Sequence, residues 1–132
     1  MKILSNTFIL RLGVAIILLS HSLHGIFNND VTNFGKLFLD PIGFAPFGVF
    51  IAWLVILSQT IGSILLILNR YVKWISILFI LILINGIIFV HYPEGWYVVG
   101  AGRNGMEFNV LLILNLLSIL YQNIVSKNIG TN

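Results

Sequence analysis

Apolar residues run with few interruptions through four stretches, about residues 8–27, 47–68, 74–91 and 106–124. A bilayer hydrocarbon core of about 30 Å takes about 20 helical residues to cross. A helix is the only backbone that crosses it as a single segment, because its hydrogen bonds close internally. Each stretch therefore predicts one spanning helix, and together they predict an all-α, four-helix transmembrane bundle forming one domain over residues 1–132. The polar breaks fall where chain reversals are needed. Residues 28–46 are rich in Asn, Asp, Gly and Pro, residues 69–73 form a short basic turn, and residues 92–105 form a polar, glycine-rich loop. Inside the first break, Phe34, Leu37 and Phe38 follow Thr32 and Asn33 at helical spacing, and Pro41 is expected to stop the run. That pattern predicts a short interfacial helix in the first outer loop. No internal repeat or low-complexity tract is visible.

Composition narrows the class further. With 58% apolar or aromatic residues and 8% charged ones, the chain lacks the charge that keeps an ordinary domain in water. A formal net charge of +3 is too dilute for a nucleic-acid footprint, so the basic residues are read as topology signals. Lys2, Arg11, Arg70, Lys73 and Lys127 lie on one side of the four spans, and only Lys36 and Arg103 on the other. The positive-inside rule then places both termini in the cytoplasm. Arg11 interrupts the first apolar run and residues 20–25 show no small-residue cleavage pattern, so that run is expected to be retained rather than removed as a signal peptide. The chain has no cysteine, which excludes disulfides, thiolate metal sites and iron-sulfur clusters ligated by this chain.

Polar residues within lipid are costly and mark candidate sites. Arg11 lies near enough to the cytoplasmic interface to snorkel, or else it makes hydrogen bonds inside the bundle. On the second helix Gly48, Ala52, Gln59 and Ser63 share one stripe, which predicts a helix contact face with Gln59 as an interhelical hydrogen-bonding group or a ligand contact. On the fourth helix Glu107, Ser118 and Gln122 share a face with Asn115 beside it, predicting the interior side of that helix. Arg11, Gln59, Ser63, Asn115 and Ser118 are thus the candidate interhelical polar contacts. His21, His24, His91, Arg103 and Glu107 reach a similar depth at the outer end. His24, His91, Arg103 and Glu107 are the candidate ligand-binding residues, in a pocket for a polar head group such as that of a quinone. Two other readings stay open: a metal or haem site, for which His24, His91 and Glu107 have the composition but no close ligand spacing, and a purely structural polar network. The glycine-rich residues 100–105 lack the lysine and preceding strand of a phosphate cradle, and no nucleophile elbow appears.

Taken in order, Arg11-Leu12, His24-Gly25, the segment 62–70, His91, and the segment 102–109 with Asn104-Gly105-Met106-Glu107-Phe108-Asn109 resemble the DoxX-like family of small four-helix membrane proteins. The resemblance implies a bacterial inner-membrane protein. It also implies a redox setting, since the family takes its name from a terminal-oxidase context and related chains serve as membrane subunits of a thiosulfate:quinone oxidoreductase or as accessory partners of redox enzymes. Many members carry a glutamate where this chain has Gln59 and a lysine where it has Asn28. Two functions are therefore expected: a membrane subunit or accessory of a quinone-linked redox system, with quinone as the candidate cofactor and none bound covalently, or a non-enzymatic scaffold for another membrane complex. The expected partners are the lipid bilayer and a membrane or membrane-associated protein or further copies of the chain, with no nucleic acid.

Overall fold

The computed structural model describes residues 4–100 and 102–129. Lys2 and Ala101 lie outside the described residues, as does the Lys127 side chain. Four long helices alternate in direction: α1 (Phe8–Phe27), α3 (Gly48–Ile67), α4 (Val72–Gly86) and α5 (Glu107–Ile129), with a short helix α2 (Asp30–Phe34) between the first two. α4 is prolonged by a wider π-type turn over Ile87–His91 and a tight 3-10 turn over Tyr92–Glu94. So prolonged, the third spanning unit is Val72–Glu94, and all four units are long and apolar enough to cross a membrane. The first and third connections gather at one end, called here the loop end. The short turn between α3 and α4 lies at the opposite, terminal end.

The helices form two close pairs, α1 with α3 and α4 with α5, which meet less extensively along α3–α4 and α1–α5. Val14 and Leu18 of α1, Leu66 of α3, Phe79 and Leu83 of α4, and Leu112, Leu116 and Ile119 of α5 form the shared core. Most other large apolar side chains point outward, among them Ile9, Phe50, Leu54, Leu81 and Leu114. In water such a surface would aggregate; in a bilayer it is the lipid-facing surface. Because lipid tails are as apolar as leucine, the core gains from close packing and polar pairing rather than from escaping water.

The first connection is more helical than the sequence suggests. Helical turns begin at Asp30 and widen over Gly35–Phe44, passing through Pro41, and the chain breaks its helical course at Gly43, where φ is +113°. Pro41 was the expected stop. The helical course ends two residues beyond it, at Gly43. This segment is held by contact with the start of α3. A methyl group on Gly35 would meet the backbone of Gly48 and Val49, so only glycine permits the approach. The Asp40 carboxylate accepts the Gly48 N–H at 2.9 Å, satisfying one of the free donors at the α3 N-terminus. At the terminal end Asn69 and Tyr71 both adopt left-handed backbone (φ +58° and +53°), and the Arg70 N–H closes onto Leu65 O at 2.9 Å, reversing the chain into α4.

Candidate functional site

Three polar sites follow from this frame. The first is at the loop end. Residues 95–98 run back alongside residues 104–107: Met106 N donates to Gly95 O at 3.0 Å, Glu107 N to Trp96 O at 3.0 Å and Gly105 N to Tyr97 O at 3.2 Å. Side chains from both flanking helices close this pairing. Glu107, the first residue of α5, accepts the Val98 N–H at 2.9 Å. His91, at the end of the α4 extension, donates from Nδ1 to Asn104 O at 2.7 Å. A carbonyl only accepts, so Nδ1 carries the proton in this bond. The two residues best suited to exchange protons therefore clasp the loop.

Of the candidate residues His24, His91, Arg103 and Glu107, the structure brings His91 and Glu107 onto the same loop and places His24 and Arg103 on the exposed surface at this end. His24 is exposed on α1; its Nδ1 accepts from Asn28 Nδ2 at 2.9 Å and its Nε2 faces Asp30 Oδ2 at 3.6 Å. Arg103 is exposed on the loop. Among the described residues no group of three His, Asp or Glu side chains is placed to hold a metal ion, so His24, His91 and Glu107 do not assemble as ligands. His21 lies within Coulombic range of both His24 and His91.

The second site is Arg11, and the snorkelling reading of it is overturned. Its side chain is wholly buried. Nη1 donates to Leu66 O at 2.6 Å and Ile67 O at 3.1 Å, Nη2 to Ser5 Oγ at 3.0 Å and Nε to Thr7 Oγ1 at 3.2 Å. The guanidinium thus caps the last carbonyls of α3, where the helix dipole is negative. It joins α1 to α3 across the terminal end.

The third site is the bundle interior. Gly48, Ala52, Gln59 and Ser63 are all buried on α3, with Gln59 at 5% and Ser63 at 0% exposure. A hydrogen bond between α3 and α1 that the sequence reading does not anticipate lies here: Thr60 Oγ1 donates to Ser22 Oγ at 3.0 Å, and Ser22 in turn donates to Leu19 O at 3.0 Å. Small hydroxyls inside two apolar runs were the only sequence signal for it. On α5 the interior face is Leu112, Leu116 and Ile119, not the polar stripe. Asn115 and Ser118 are half-buried and Gln122 is exposed. The Asn115 amide donates to Leu111 O of its own helix at 2.9 Å. Asn115 also lines a lateral cleft of about 150 Å³ between α1 and α5, walled by Ile9, Leu10, Gly13, Ile17, Phe108 and Leu111.

A comparison with family models matches the DoxX model over residues 7–92, well over half the chain. The chain belongs to the DoxX family. The matched segment carries Arg11, His24, Gln59 and His91 of this DoxX-family protein, while the Glu107 clasp and α5 lie beyond it. No curated protein and no solved structure matched the chain. The DoxX-family protein is a multi-pass membrane protein on two independent grounds, its family and its four apolar helices.

Proposed function

We propose that this DoxX-family protein is a membrane subunit or accessory of a quinone-linked redox system, and that its own part is to hold the quinone rather than to carry electrons. The observation that carries this reading is the α1–α5 cleft. It opens sideways toward lipid, is walled by apolar side chains, and has the Asn115 amide among them. Binding sites for apolar ligands combine such walls with few polar groups. The cleft begins at Phe108, next in sequence to Glu107, so a tail lying in it would have its head group near the loop clasp. The same reading puts the protein in the bacterial inner membrane, with the loop end outside and both termini cytoplasmic.

The test uses the intact protein extracted in mild detergent, with quinone measured in the lipid extract. Wild type is expected to retain quinone. Gly13 lines the cleft and a methyl group there would meet open space, so Gly13→Leu should fill the cleft and lower retention without removing the protein from the membrane. The matching change at lipid-facing Leu57, Leu57→Ala, should leave retention unchanged. No quinone in wild type, together with a defined complex that survives Gly13→Leu, would favour the scaffold reading. That reading draws its support from the loop clasp, which uses His91 and Glu107 to build a fixed surface.

A further inference from the structure

We infer that Gln59, Ser63 and Ser76 form a site for ordered water inside the membrane-spanning bundle. Among the described residues, Gln59 Oε1, Ser63 Oγ and Ser76 Oγ are buried without a hydrogen-bonding partner in the protein. Ser63 and Ser76 are 0% exposed and Gln59 5%. Buried polar groups of native proteins are satisfied by protein or by ordered water, and an unpaired one is strongly disfavoured.

Helix packing sets the buried side of α4 that carries Ser76 against the stretch of α3 that carries Gln59 and Ser63. Gln59 and Ser63 are one turn apart on the buried face of α3. Between them Gly62 packs against Phe79 and Ile75 of α4, a methyl group there coming within 2.7 Å of the Phe79 ring. Ser76 sits between those two α4 residues in sequence and shares their buried side. Two helices therefore supply an amide oxygen and two hydroxyls, the two to four polar partners that a buried water takes. A hydroxyl both donates and accepts and an amide oxygen accepts, which suits water better than an ion. The site continues toward the terminal end: Leu66, one turn beyond Ser63, offers its carbonyl to Arg11. From Gln59 to that carbonyl the polar groups span about 10 Å of α3 at 1.5 Å per residue. This inference does not rest on the quinone reading.

Pulsed hydroxyl-radical footprinting of the intact protein in lipid nanodiscs tests it. Radicals form from water, so a buried ring is oxidised only where water is bound beside it. Phe79 is wholly buried and lies one turn from Ser76. Prompt oxidation of Phe79 is expected in wild type, falling several-fold in the Ser63→Ala/Ser76→Ala double variant. Thermal midpoints of Ser63→Ala and Gln59→Leu should fall or stay level. A silent Phe79 in wild type, with Trp96 and Tyr97 of the exposed loop oxidised normally, would overturn the inference. So would a rise in thermal midpoint on either substitution, because removing a dry, unpaired polar group relieves its cost.

Discussion

Arg11 shows how one side chain ties two distant parts of the chain together. Its guanidinium is the donor for the Leu66 and Ile67 carbonyls, 55 and 56 residues away. Arg11→Leu leaves those carbonyls without it in a low-dielectric setting and is expected to destabilise the protein by roughly 2 to 3 kcal/mol. Lysine keeps the charge but not the planar fork, so Arg11→Lys should recover part of that loss. Thermal unfolding of both variants in detergent gives the comparison, and equal midpoints for wild type and Arg11→Leu would remove Arg11 from the architecture. At the other end Glu107→Ala should free the Val98 N–H, raising amide exchange at Val98 and its neighbours. Glu107→Gln retains an acceptor oxygen and should keep most of the protection. Unchanged exchange in Glu107→Ala would mean that the backbone pairing of residues 95–98 with 104–107 holds the loop alone.

At the scale of elements, the weak partner of α1 is α5. α1 is joined to α3 by Arg11 at one end and by the Thr60–Ser22 hydrogen bond further along, whereas α1 and α5 enclose the cleft. Gly13 faces that cleft in a helix interior, with open space where a Cβ would stand. Gly13→Ala should therefore stabilise the protein by about 0.5 to 1 kcal/mol through the lower backbone entropy of alanine. A fall in thermal midpoint would mean that another helix or ligand approaches α1 at Gly13 more closely than a methyl group allows. The α2 segment behaves differently, because it is fixed by backbone contact. Gly35→Ala would force it away from Gly48 and Val49 and is expected to lower stability by about 1 to 3 kcal/mol, the usual range for overpacking. The reference for both variants is the wild-type unfolding midpoint in the same detergent.

For the whole molecule, the distribution of basic residues predicts the orientation. Single cysteines at Asn33 and Glu94, both at the loop end, should react with a membrane-impermeant thiol reagent in intact spheroplasts, and one at Asn128 should not. The native chain has no cysteine, so background labelling is absent. Labelling of Asn128→Cys with protection of the other two would invert the topology and move the loop clasp to the cytoplasmic side.

The four spans were legible in the sequence because they answer to a local rule: about 20 consecutive residues without lipid-incompatible groups, each satisfying its own backbone. Turn-forming residues at 28–46, 69–73 and 92–105 marked the reversals for the same reason. The buried stripe of Gly48, Ala52, Gln59 and Ser63 was also readable, since helical periodicity sets which residues share a face. The partners of the polar residues were not. Arg11 and His91 bind backbone carbonyls and Glu107 binds a backbone N–H, and every residue offers such groups, so no side-chain pattern marks which will be used. Nor does equal depth specify a meeting: His24, His91 and Glu107 stand at the same end of the bundle, yet the rotation and packing of α1, α4 and α5 decide which way each faces. The sequence by itself determined the membrane class, the spans and one buried face. The tertiary structure decided which polar groups are paired and where two helices leave a cleft between them, because those depend on how helices distant in sequence are turned against each other.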